Sequence, residues 1–276
     1  MLAIITVVYR NYEILHDFIE SLSKQSSQFY TVYFVDVTEK EKKEILPWIR
    51  KIDGKYSFID AENLGYAYGV NVGIAQALKD GRTKFAILNP DIIFDPNFVQ
   101  NASEAISRNP KKIIGGKILY AKGFEYHKDK YQPSDLGHVI WYAGGHIDWK
   151  HALGEHLGVD EVDSPKLSAL MPTEFVSGCL MMYDKSVHDI VGSWDTSYFM
   201  YFEDTDYCVR AGAKNIPIIY DPNIVIYHKN AQSTGGSGSK LHEEWMRKSR
   251  LRFGLKYAPI RTKMHLLFNY AFSKKP

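Results

Sequence analysis

A chain of 276 residues that is 45% apolar, 14% aromatic and 24% charged can bury one large α/β core or two small ones, which excludes disordered and fibrous classes. Two cysteines, Cys179 and Cys208, are too few for a disulfide-stapled scaffold or a four-cysteine zinc site, and they indicate a reducing compartment. The formal charge of +2 hides a division: from Lys240 onward ten Lys/Arg face two Glu, which leaves −6 on the rest of the chain.

The first segment, Leu2–Tyr9, is apolar and β-branched without alternation, as expected of a strand buried on both faces of a parallel sheet. No basic leader precedes it, and it is too short for a signal-peptide core. Tyr12, Leu15, Phe18, Ile19 and Leu22 then recur at helical spacing. Thr31–Val35 predicts a second buried strand ending on Asp36, followed by a charged helix over Glu39–Lys51 and a third strand over Tyr56–Ile59. Val70, Ile74, Ala77 and Leu78 mark another amphipathic helix, and Lys84–Leu88 a fourth strand. Such alternation predicts βαβ units with right-handed crossovers, whose ligands bind beyond the carboxyl ends of the strands. Tyr9-Arg10-Asn11, Asp36 and Asn89-Pro90-Asp91 fall at such ends.

The middle of the chain changes character. Residues 120–170 are rich in Gly, His, Tyr and Trp and predict long loops with short antiparallel strands, a length that usually serves function. Phe175–Met182 resumes the core, and Glu203–Ala213 predicts a helix. Ile216–Tyr220 and Ile224–Tyr227 read as two strands around an Asp-Pro-Asn turn, and Thr234–Ser239 as a flexible hinge. No apolar run reaches the ~18–20 residues that cross a bilayer, so a soluble or peripheral protein is expected.

Four motifs carry chemistry. Asp91, at a strand tip, can hold a hard divalent cation, although Asn-Pro-Asp is also common turn chemistry. The segment from Asn63 through Gly65 and Gly69 to Asn71 places glycines before a helix, where backbone can approach phosphate. It has neither dinucleotide nor P-loop spacing. Glu203, Asp204 and Asp206 cluster behind an aromatic run, either as acids favoured by a helix N-terminus or as a general base whose pKa its neighbours raise. His228 ends a strand, where an imidazole can complete a metal shell or simply hydrogen-bond a loop. The histidines from His127 to His156 lack metal-ligand spacing and read as loop polar groups. Trp141, Tyr142 and Trp149 suit either sugar stacking or core packing.

In order, these motifs resemble family 2 glycosyltransferases of the GT-A fold, especially their bacterial rhamnosyltransferase-like branch. The markers are Ile5–Tyr9, Val35-Asp36, Asn63–Gly65, Leu88–Asp91, Ile140–Gly145, Phe175–Gly178, Tyr198–Asp204, Tyr227-His228 and Ser233–Gly236. The resemblance implies a Rossmann-like, mostly parallel sheet in a domain over residues 1–235, with a nucleotide half (1–95) and a catalytic and acceptor half (96–235). A basic helical tail (236–276) would follow. It implies donor contacts from Thr6, Val8, Tyr9, Asp36, Asn63, Gly65, Asn71 and Asn89, and Mg²⁺ or Mn²⁺ on Asp91 with the donor's diphosphate. Asp204 would be the catalytic base with Glu203 beside it, and Trp141, Tyr142, Gly144 and Gly178 would face the acceptor. Asn89 replaces the first acid of the family's Asp-x-Asp motif, so His228 is the candidate second ligand.

The implied reaction is an inverting transfer from a nucleoside-diphosphate sugar, dTDP-rhamnose or a UDP-hexose, to a saccharide hydroxyl in surface-glycan synthesis. The acceptor can be lipid-linked, and nucleic acid is not an expected partner. Met264, Leu267, Phe268 and Phe272 share a helical face flanked by Arg261, Lys263, Lys274 and Lys275. That face suits the inner surface of the cell membrane, the protein's own body or a second copy in a homodimer. The rivals are a nucleotidyltransferase, for which the chain lacks a glycine loop after the first strand, a glycoside hydrolase, and a non-catalytic carbohydrate- or polyanion-binding protein on the same scaffold.

Overall fold

The computed structural model describes residues 1–39, 44–52, 55–230 and 239–272. The chain opens with β1 (Leu2–Val8), α1 (Leu15–Ser23), β2 (Tyr30–Asp36), a single turn α2 (Leu46–Ile49) that tightens into a 3₁₀ turn, β3 (Tyr56–Asp60), α3 (Tyr66–Lys79) and β4 (Lys84–Leu88). It continues through β5 (Ile92–Phe94), α4 (Phe98–Arg108), β6 (Ile113–Tyr120), β7 (Ile140–Tyr142), the hairpin β8 (Gly145–Asp148) and β9 (Leu153–His156), and β10 (Met171–Pro172). β11 (Leu180–Asp184), α5 (Lys185–Val191), α6 (Glu203–Ala213), β12 (Ile218–His228), α7 (Lys240–Tyr257) and α8 (Ile260–Phe272) complete it.

One sheet runs through both halves, in the order β10-β12-β6-β11-β4-β1-β2-β3. β4, β1, β2 and β3 are mutually parallel, as are β6 and β12, while β11 is antiparallel to both neighbours. This is the mostly parallel α/β architecture expected. All seven residues of β1 are buried, because helices cover both faces. α3 lies unusually close to β1: a Cβ on Gly69 would sit 2.8 Å from Val7 Cγ1, and one on Gly73 2.5 Å from Ile5 Cγ2. Gly69 thus serves helix–sheet packing, not the ligand approach expected of it.

Two predicted elements differ. The helix over Glu39–Lys51 is helical only from Leu46 among the described residues, because Pro47 lacks an N–H and fits only a first turn. The two strands around Asp-Pro-Asn are one strand, β12, whose register on β6 shifts between Asp221 and Val225. Asp221 Oδ1 accepts from the Asn223 N–H at 3.0 Å, so the local turn makes a bulge and not a reversal. Of the predicted hinge, only Ser239 lies among the described residues; it caps α7 by accepting from His242 N at 3.2 Å.

α7 is clamped to the body. Ser249 Oγ donates to Met200 O at 2.7 Å, Phe253 stacks on Trp149, and Trp245 stacks on Phe199 with ring centres 4.5 Å apart. Lys256 Nζ and Tyr257 Oη both reach Asp206 Oδ1 at 2.7 Å.

Candidate active site

Parallel strands deliver their last residues to one edge. In register, Val8 lies beside Asp36 and Asp36 beside Asp60, while β4 ends next door on Leu88 and hands the chain to Asn89-Pro90-Asp91. β11 runs the other way, so its preceding residues reach the same edge; Asn89 N donates to Cys179 O at 3.4 Å. His228 ends β12 opposite Ile92, next to Asp91, and Lys229 N donates to Asp91 O at 2.9 Å. The sheet topology therefore brings together Asp91 and His228, which are far apart in sequence.

The His228 Nε2 atom lies 3.3 Å from Asp91 Oδ1, with both side chains about 5% exposed or less. His228 Nδ1 is buried with no hydrogen-bond partner among the described residues. Burial by itself would lower the His228 pKa, but Cys179 and Asp91 beside it outweigh burial and hold it well above the usual imidazole value. A carboxylate and an imidazole converging at a strand tip form a donor set that fits a divalent cation whose remaining positions are filled by ligand oxygens. A second group whose ligand atoms lie within 4.8 Å of one another, His16, Asp17 and Glu20 on α1, is largely exposed. Its carboxylates already pair with Lys229 and Lys24.

The acids of α6 separate sharply. Asp204 is half-buried; its Oδ2 accepts from Gly178 N at 2.8 Å and its Oδ1 from Thr205 N at 2.6 Å. Burial raises its pKa against the pull of those N–H groups. Glu203 is buried with Oε2 unpartnered among the described residues, and burial, then Asp204, pushes its pKa well above the ordinary glutamate value. Asp206 is wholly buried and takes Arg210 Nε, Lys256 Nζ and Tyr257 Oη, each at 2.7 Å, which makes it a structural acid. Tyr201 and Phe202, both at φ +68°, hold the left-handed backbone just before this turn, local strain of a kind that gathers at functional sites.

Tyr66, which the sequence does not single out, lies in the middle. Its phenol donates to Gly178 O at 3.1 Å, and burial, then Glu203, Cys179, Asp204 and Asp91, raise its pKa. One aromatic side chain thus feels the acids of both clusters. The available signal was its place directly after Gly65, whose φ of +101° and whose 2.5 Å clearance of Phe199 O by a notional Cβ require glycine.

The remaining expected site residues fall in three groups. Trp141 is partly exposed, wedged between the His156 and His228 rings at 4.5 and 4.6 Å between centres. Tyr9, 37% exposed, and the exposed Asn63 stand at the open edge, with Asn89 partly buried beside them. Others are engaged within the protein. Thr6 and Val8 are enclosed in β1, and Asp36 accepts from Tyr12 Oη at 2.9 Å and Thr38 N at 3.0 Å.

Four readings need correcting. Tyr142 is wholly buried and donates to Phe175 O at 2.6 Å, so it packs the core and offers no face to a sugar. Asn71 spends both ends of its amide on the Trp194 backbone, at 2.9 Å each, and ties α3 to the segment before α6. Gly144 meets Met171 and Thr173 and shapes the β7–β8 corner at φ +95°. His156, read as a loop residue, ends β9 and donates from Nδ1 to Trp141 O at 2.9 Å; burial brings its pKa down to about 4.

Comparison with known proteins places this arrangement. Residues 3–189 match the glycosyl transferase family 2 profile. The chain belongs to glycosyl transferase family 2. Among characterised relatives, this family 2 chain is 26% identical over 219 residues to the low-salt glycan biosynthesis hexosyltransferase Agl10 of Haloferax volcanii, covering 79% of this chain and 63% of that protein. It is 30% identical over 191 residues to N-acetylglucosaminyl-diphospho-decaprenol L-rhamnosyltransferase of Mycobacterium tuberculosis, covering 63% of this chain and 58% of that protein. The chain therefore spans about three fifths of these relatives' length. Its fold superposes on GalNAc-T7, solved with UDP, GalNAc and Mn²⁺, with a TM-score of 0.67 at 13% identity, over 100% of this chain and 55% of that one. Staphylococcus aureus TarS gives 0.52 at 15% identity, over 98% and 42%. The fold is GT-A, as the sequence resemblance implied.

Proposed function

We propose that this protein transfers a sugar, with inversion, from a nucleoside-diphosphate donor to a hydroxyl of a saccharide acceptor, and that Asp204 is the base. The supporting observation is the convergence on one strand edge of a buried Asp91–His228 pair and a half-buried Asp204, with Gly178 bonded to Asp204 and Tyr66. Asp91 and His228 would hold Mg²⁺ or Mn²⁺, which supplies charge neutralisation to the departing diphosphate. The donor's base and ribose would lie along the ends of β1 and β2, against Tyr9 and the Asp36–Thr38 turn.

Asp204 accepts the acceptor hydroxyl's proton as that oxygen bonds to the anomeric carbon. The bond from that carbon to the phosphate oxygen breaks on the opposite side, and its electron pair leaves with the diphosphate. Burial, by raising the Asp204 pKa, makes it a stronger base near neutral pH. The rhamnosyl and hexosyl transferases among the relatives favour rhamnose or another hexose as the sugar moved, which we take as dTDP-rhamnose or a UDP-hexose, and the decaprenol-linked substrate in one relative's name favours a lipid-linked acceptor.

Melting-temperature shifts with dTDP, UDP and their sugars, each with Mn²⁺, Mg²⁺ or chelator, test the donor half. Ligand binding to the folded state raises the melting point by linkage. A metal-dependent shift that Asp91→Asn removes is the expected result. Absence of a shift with every nucleotide overturns the proposal.

A further inference from the structure

α8 has two opposite faces. Inward, Thr262 Oγ1 donates to Trp149 O at 3.0 Å, and Leu266 presses on the backbone of α7 at Gly254. Outward, Ile260, Met264, Leu267, Phe268 and Phe272 are 71%, 62%, 45%, 62% and 71% exposed. At 3.6 residues per turn these five fall on one side, centred opposite Thr262 and Leu266. Phe268 and Phe272 touch each other, with ring centres 4.6 Å apart, while both stay exposed to solvent. On the same wheel Lys263 stands beside the Leu267 edge of this stripe and the exposed Arg261 at its N-terminal end, on the side of Phe268 and Phe272, both within the segment that holds the chain's basic surplus.

A contiguous apolar stripe rimmed by cations is unusual on a surface that meets only water. We propose that this face of α8 docks on an anionic phospholipid membrane, with the rings and Met264 in the acyl boundary and Arg261 and Lys263 among the phosphates. Charge complementarity favours lipid over a second copy of the chain. A contact between two copies through this stripe would bring together two segments in which ten Lys/Arg face only two Glu, whereas anionic headgroups neutralise that surplus. Among the described residues no helix is long and apolar enough to cross a membrane, so the contact is interfacial. The inference stands on this surface and does not depend on the donor or the chemistry proposed above.

Flotation of the full chain with phosphatidylcholine vesicles, with and without phosphatidylglycerol, tests it. The protein should float with the anionic vesicles and not with the neutral ones, and salt should release it. Both Phe268→Ser/Phe272→Ser and Arg261→Glu/Lys263→Glu should lower the bound fraction about tenfold or more. Melting temperature and nucleotide-induced shift should stay unchanged in both variants, because every altered side chain is on the outward face or its flank. Failure to float overturns the proposal, as does flotation insensitive to both variants. Light scattering that shows a dimer broken by Phe268→Ser/Phe272→Ser, without vesicle binding, assigns the face to a second copy and overturns it equally.

Discussion

Two acidic regions lie within one turn of α6 and are built on opposite terms. At the strand edge, among the described residues, Glu203 is buried with an unpartnered oxygen, and Asp204 has backbone N–H donors and one hydroxyl but no cation. Two residues further on, Asp206 is wholly buried yet receives Arg210, Lys256 and Tyr257. A buried carboxylate without a cation keeps a raised pKa and an appetite for a proton, whereas one with a full set of donors spends its charge on stability. The comparison teaches that charge compensation, more than burial, separates a candidate base from a structural acid in this turn.

Three substitutions break or sharpen that contrast. Asp204→Asn should lower turnover by roughly 10²–10⁴-fold while donor binding, read by melting shift, persists. Because burial raises the Asp204 pKa, wild-type kcat should rise with pH through a midpoint above the ordinary aspartate value. Full activity in Asp204→Asn would remove it as the base. Asp206→Ala should instead act on stability, costing about 2–3 kcal/mol in denaturant unfolding. That is less than a fully enclosed pair would lose, since the Arg210 and Lys256 side chains left behind are 22% and 39% exposed. An unchanged unfolding midpoint would show that the α7 clamp carries no energy.

Glu203→Gln is the smallest and sharpest. A folded pKa raised above the unfolded value means stability that is complete below the ordinary carboxylate pKa and lost as pH rises through the folded value. Glutamine keeps the neutral shape at every pH. The variant should therefore match the wild type in acid and melt higher in alkali. A variant that matches the wild type in acid but melts lower in alkali would show that the native structure depends on an ionised Glu203.

Much of the fold was legible because β1, β2 and β4 are unbroken apolar runs, a pattern that a two-sided parallel sheet imposes on its strands. Asp91 was legible for the same reason, since a polar residue just after such a run must emerge at a strand tip. Other features failed for local reasons. The Asp-Pro-Asn sequence carries turn chemistry, but parallel pairing of both flanks with β6 kept β12 in one direction. Tyr142 looked available in a glycine-rich segment, yet its hydroxyl found Phe175 O and its ring the core.

By itself, then, the order of residues determined the βαβ class, the strand-end positions of Asp36 and Asp91, and the helix that begins at Glu203, because these depend on local periodicity and on neighbours along the chain. Only the tertiary structure decided that His228 meets Asp91, that among the described residues cations reach Asp206 and not Asp204, and that α8 turns its apolar side outward. Those outcomes depend on which distant groups reach a buried charge or an apolar face, and that is a property of strand order and helix docking.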